Sequence, residues 1–131
     1  MKQLHCLILL GILFISISSF KEPNKNKSLN DNTNIEVVFN HKLSFNDIVK
    51  IKLDLSEKGI MLTYRKLLFD ENAKLLSIKF YVKFNDGYGG GDESDNLTDQ
   101  SRIGFYRDYS KNAKASFICG NLEKLQPPSA N

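Results

Sequence analysis

The chain has 131 residues, with 18 Lys and Arg against 15 Asp and Glu and a formal net charge of +3. So near-neutral a balance leaves no electrostatic footprint for nucleic acid and none for an anionic membrane surface. A chain of this length builds one modest core that buries somewhat more than about 60% of its unfolded surface.

The first stretch, MKQLHCLILLGILFISISSF, has the layout of a secretory signal peptide. Lys2 supplies the positive start, Leu4 to Ile17 the apolar run, and Ser16, Ser18 and Ser19 the small residues at which a peptidase cuts. The run is shorter than the roughly 20 residues that span a bilayer. A leader over 1–19 and a periplasmic or secreted product are therefore expected, with membrane attachment only if the leader is left uncleaved. Without the leader, His41 and Cys119 are the only histidine and cysteine. That is too few for a structural zinc site, and an internal disulfide has no second partner.

Residues 20–34 are rich in Asn and Lys, with almost nothing apolar to offset the entropy of ordering, and predict a flexible tether. A single domain over 35–122 follows. It opens with IEVVF (Ile35 to Phe39), a β-branched and aromatic run that suits a strand. Ser44 is a helix N-cap with Asp47 three residues on, and Phe45, Ile48, Val49, Ile51 and Leu55 form one broad apolar helical face through to Lys58. Gly59 is the left-handed cap that ends the helix, closed by Ile60.

Ile60 to Phe69 and Leu76 to Phe84 predict two strands joined by a tight turn through Asp70 and Asn72. In the second strand Leu76, Ile78, Phe80, Val82 and Phe84 take the buried face, and Ser77, Lys79, Tyr81 and Lys83 the wet one. DGYGGGDESDN (Asp86 to Asn96) predicts a mobile, charged connection. RIGFYRDY (Arg102 to Tyr109) is then a third strand of the meander, Ala115 to Cys119 a short apolar piece, and 123–131 a disordered tail. The sum is α+β: one amphipathic helix on a mostly antiparallel sheet of three to four strands, in two layers and in the order β-α-β-β-β.

The glycine-rich connection fits no phosphate cradle, because no Lys follows the glycines and its acids would repel phosphate. A dinucleotide fingerprint counted from Gly87 places Asp92 where the third glycine belongs. Asp86, Asp92, Asp95 and Asp99 offer hard oxygen ligands, so a weak calcium- or ligand-responsive site is the alternative function. An EF-hand aligned from Asp92 nevertheless has Leu97 at the glycine position and Ile103 at the bidentate glutamate position.

A Cys-His nucleophilic pair would require Cys119, expected in the core beside Phe117 and Ile118, to meet His41, expected on a loop. With no G-x-S-x-G turn either, the expectation is a non-enzymatic protein with no cofactor and no metal. The aromatic residues suggest a binding function instead. Tyr81, Tyr106 and Arg107, expected on a sheet face turned away from the helix, and Tyr88 of the adjoining glycine-rich connection are the candidate binding residues, suited to a protein or peptide partner. The competing reading of these residues is ordinary cross-strand pairing on a half-exposed face.

The run LDLSEKGIMLTYRKLLFDENAKLLSIKFYVKFNDGYGGGDESDN, followed by IGFYRDY, resembles a small exported module of Gram-negative bacteria. It is similar to the segment that follows some membrane zinc metallopeptidases of the β-lactam-sensor type. The shared features lie at Lys58 to Ile60, Phe69 to Asn72, Ile78 to Lys83 and Gly87 to Ser94. The resemblance implies an accessory or sensing domain outside the membrane. It carries no catalytic residue, since H-E-x-x-H is absent.

Overall fold

The computed structural model describes residues 33–123. The expected leader, all but the end of the expected tether and all but the first residue of the expected tail lie outside the described residues. One helix and six strands run in the order β1 (Ile35–Phe39), α1 (Phe45–Glu57), β2 (Met61–Phe69), β3 (Leu75–Lys83), β4 (Gly89–Ser94), β5 (Ile103–Arg107) and β6 (Phe117–Asn121).

The helix begins and ends as its sequence dictates. The Asp47 amide donates to Ser44 Oγ at 3.3 Å and the Ser44 amide to Asp47 Oδ2 at 2.8 Å, a reciprocal capping box. At the other end Gly59 has φ +73°. Its amide donates to Ser56 O and the Ile60 amide to Leu55 O, both at 2.9 Å. This is a Schellman cap, and its apolar clasp of Leu55 with Ile60 is buried.

The buried face of α1 is narrower than expected. Ile48 and Leu55 are buried and Ile51 half-buried, but Phe45 and Val49, expected inside, are 56% and 39% exposed. The reason is that α1 packs chiefly on β2, and a single strand covers only one stripe of a helix. Tyr64 of β2 fastens that stripe by donating its hydroxyl to Ile48 O at 3.0 Å.

The strands form two antiparallel three-stranded sheets, β2-β3-β4 and β1-β5-β6, instead of one sheet of three to four strands. Two local readings are corrected. Gly89 to Ser94, expected as part of a mobile connection, is strand β4, paired on β3 through Phe80↔Asp92, Tyr81↔Gly91 and Val82↔Gly90. The segment after it is no third strand of that meander: β5 pairs with β1 and β6.

Close packing explains why β4 is built of glycines. A Cβ on Gly91 would lie 2.3 Å from Phe80 O, and one on Gly90 would lie 3.3 Å from both Cys119 Cβ and Phe117 Cε1 of β6. The strand therefore carries no apolar pattern of its own, and its pairing is dictated by β3.

The core lies between the sheets. Phe39 of β1 stacks on Phe80 of β3 at 4.9 Å between ring centroids, Phe80 meets Phe105 of β5 at 6.0 Å, and Phe84 meets Phe105 at 5.9 Å and Phe117 at 5.7 Å. Each such ring contributes about 2–3 kcal/mol by burial, which explains how so small a domain holds two sheets together.

The β2–β3 pair contains two bulges. Tyr64 pairs with Phe80 and Lys66 with Lys79, so Arg65 is an extra residue on β2; Leu68 pairs with Ser77 and Phe69 with Leu75, so Leu76 is an extra residue on β3. A bulge changes which face a side chain takes. Leu76, expected inside, is 37% exposed, while Leu75 and Ser77 are buried.

Candidate binding face

The first of these bulges shapes the outer surface of the β2-β3-β4 sheet. Tyr81 sits in the central strand, opposite Thr63 on one side and Gly91 on the other. Its ring lies over the glycines of β4: a Cβ at Gly89 would be 3.3 Å from the Tyr81 hydroxyl, and one at Gly91 would be 3.3 Å from Tyr81 Cδ2. From the other side the bulge delivers Arg65, whose guanidinium carbon stands 5.6 Å from the Tyr81 ring centroid. Together with Lys79, Gly91 and Glu93 they line an open groove of about 330 Å³.

The charges around this groove are unevenly committed. Lys79 Nζ is paired with Glu93 Oε2 at 2.5 Å and Lys66 Nζ with Asp95 Oδ1 at 2.6 Å. Asp95 also accepts from Ser77 Oγ at 3.1 Å, and the Lys66 contact, followed by that of Ser77, holds its carboxyl below the usual range. The Arg65 side chain makes no hydrogen bond or ion pair among the described residues. A planar guanidinium resting on an aromatic ring with its donor fork unclaimed can take a carboxylate in bidentate fashion.

Arg107 has a different role from the one its sequence suggests. It shares the inward parity of Phe105 and is only 8% exposed. Its Nε and Nη2 donate to Asp86 Oδ2 at 2.9 and 2.6 Å, and its Nη1 donates to Ser116 O at 2.6 Å and also to Asp108 O. Its faces are covered by Tyr88 and Tyr109, at 4.2 and 4.4 Å from the ring centroids. The group ties the turn between β3 and β4 to the segment between β5 and β6, and its donors are largely spent on the protein itself.

Of the four residues singled out from sequence, only Tyr88 and Arg107 are thus brought together. Tyr88 is 40% exposed and also faces Phe117, at 6.0 Å. Tyr106 belongs to the other sheet, where its hydroxyl accepts from Asn34 Nδ2 at 2.9 Å. The single aromatic face expected for Tyr81, Tyr106 and Arg107 is therefore divided between two sheets, because β5 pairs with β1 and not with β3. Arg65 was missed. The signal that could have found it is the consecutive exposed pair Arg65-Lys66, which breaks the alternation of β2.

The four carboxylates of the calcium alternative do not converge. Asp86 is bound to Arg107, Asp95 to Lys66 and Asp99 to His41, while Asp92 lies beside Gly120. Among the described residues no group of three or more His, Cys, Asp and Glu is arranged to hold a metal ion.

His41 is partnered by Asp70 and Asp99. Cys119 is half-buried on β6, and burial, followed by the nearby Asp92 carboxylate, pushes its thiol up to about 11. A thiol so placed is protonated at neutral pH and is a poor nucleophile.

No family model, no curated protein and no solved structure matches the chain.

Proposed function

We propose that the chain is an exported, non-enzymatic accessory module that binds protein or peptide on the outer face of the β2-β3-β4 sheet, and that the ligand is an extended segment bearing a carboxylate. The observation that carries this reading is Arg65, set by a bulge over Tyr81 with its donors unclaimed beside an open groove. Arg65 reads the carboxylate, and Tyr81, seated over the glycines of β4, supplies a flat apolar platform. Lys79 and Lys66 are paired with Glu93 and Asp95, so of the basic side chains that line the groove it is the Arg65 guanidinium whose donor fork is unclaimed.

Export rests on the signal-peptide layout of the first 19 residues, and the accessory role on the absence of any recognisable catalytic motif. The non-enzymatic reading is further supported by the high pKa of the Cys119 thiol and by the occupation of both His41 ring nitrogens.

Calorimetric titration of the protein with extended peptides that are acidic, neutral or basic tests the proposal. Acidic peptides bind, and Arg65→Ala weakens them at least about tenfold, the loss expected for a charge-assisted bond of about 1.5–3 kcal/mol. Equal heats for all three peptide classes, or acidic binding indifferent to Arg65→Ala, would overturn it.

A further inference from the structure

The imidazole of His41 stands between two carboxylates: Nε2 is 2.7 Å from Asp70 Oδ2 and Nδ1 is 3.3 Å from Asp99 Oδ1. An ionised carboxylate only accepts hydrogen bonds, so both contacts need an N–H on the ring. The neutral ring has one such group, and only the imidazolium has two.

We infer that His41 is a protonation-controlled clasp, which as the imidazolium holds both the β2–β3 turn and the β4–β5 connection and as neutral imidazole releases the latter. The geometry decides which partner is lost. Asp70 is 21% exposed and is fixed by the amides of Asn72 and Lys74, each at 2.9 Å from its Oδ1. Asp99 is 56% exposed and has only the longer contact to the ring.

The charged groups on the surrounding elements do not replace this contact. Lys42 adjoins His41 in the chain, and Lys74 in the β2–β3 turn spends its Nζ on Lys42 O at 3.2 Å. Asp47, at the start of α1, is committed to Ser44. None of the three forms an ion pair with His41 or Asp99. The hydrogen bond to Asp70 is the largest cause that raises the His41 pKa above 6.5, with Asp99 adding to it, so the release falls above the ordinary imidazole midpoint.

Release is local. Leu97 stays buried with its amide on Leu76 O at 2.9 Å, and the His41 amide still donates to Thr98 O at 3.1 Å. The part set free is the tip, Asp99 with Gln100, the two central residues of the turn that the Ser101 amide closes on Thr98 O at 3.1 Å.

The test is an NMR titration of the full chain, with His5→Gln in the background so that His41 gives the only imidazole signal. The expected result is a His41 midpoint above 6.5 and, with the same midpoint, movement of the Gln100 and Ser101 amide resonances. Asp99→Asn lowers the midpoint and abolishes the coupled movement at Gln100 and Ser101, whereas Asp70→Asn lowers the midpoint and keeps that movement. Amide resonances at 100 and 101 that stay still while His41 titrates, or that move identically in Asp99→Asn, would overturn the clasp.

Discussion

Arg65 stands over the ring of Tyr81 because β2 carries one residue more than β3 at that point, and the extra residue is Arg65 itself. A feature that serves only the sheet would not need an exposed arginine at the bulge. Removing it should therefore separate stability from binding. Arg65→Ala is expected to change the unfolding free energy by no more than about 0.5 kcal/mol, the usual range for an exposed side chain. Urea denaturation measures this, and a large loss of stability would assign Arg65 to the scaffold.

Arg107 predicts the opposite behaviour. Truncation to Ala removes the donors to Asp86 Oδ2 and the Asp108 carbonyl and one of the two donors to Ser116 O, at a site that is 8% exposed. A loss of about 2–4 kcal/mol follows, with little effect on ligand affinity per folded molecule. Arg107→Lys should recover only a small part, because a compact ammonium lacks the planar fork that reaches Asp86 and the two carbonyls at once while stacked between Tyr88 and Tyr109. Denaturation midpoints of the two variants check both statements.

The glycines of β4 and of the turn before it are expected to differ in tolerance. Gly91→Ala places its Cβ 2.3 Å from backbone Phe80 O and must shift β4 away from β3, at a cost of about 1–3 kcal/mol. Gly87→Ala meets nothing within 4 Å and is penalised only for its φ of +93°, by about 1 kcal/mol. Thermal melts of the two variants compare them directly.

The pH dependence of stability has two limbs with known signs. His41 is raised from 6.5, so its contribution is full below that value and is lost as pH rises through the folded pKa. Asp70 is lowered from 3.8, chiefly by the Lys74 amide, so its contribution is present above that value and is lost as pH falls through the folded pKa. His41→Gln should flatten the alkaline limb and leave most of the acid limb in place. Chemical denaturation at a series of pH values would show this.

Much of the local structure was legible in the sequence. Ser44 with Asp47 and Gly59 with Ile60 marked the helix ends because caps depend on residues adjacent in the chain. The strand alternation through Ile78, Phe80, Val82 and Phe84 reported a real buried face.

What escaped reading was set by distant partners. Glycine has no side chain to reveal that Gly89 to Gly91 pair with β3 and that Gly90 packs against Cys119 and Phe117 of β6, and the pairing of β5 with β1 joins segments more than sixty residues apart. The two bulges left Leu76 outside and brought Arg65 over Tyr81, changes of face that a period-two count cannot register. The candidate site is for that reason half legible: the sequence points to Tyr81 but offers Arg107, and not Arg65, as the arginine beside it.

The central claim is that the Tyr81 and Arg65 face receives a carboxylate-bearing peptide. Mapping amide chemical shifts while an acidic extended peptide is added tests it most directly. Shifts concentrated at Arg65, Lys79, Tyr81 and Gly91, and absent from the Arg65→Ala variant, are expected. Shifts centred instead on Tyr88, Tyr106 and Arg107, or none at all at saturating peptide, would contradict it.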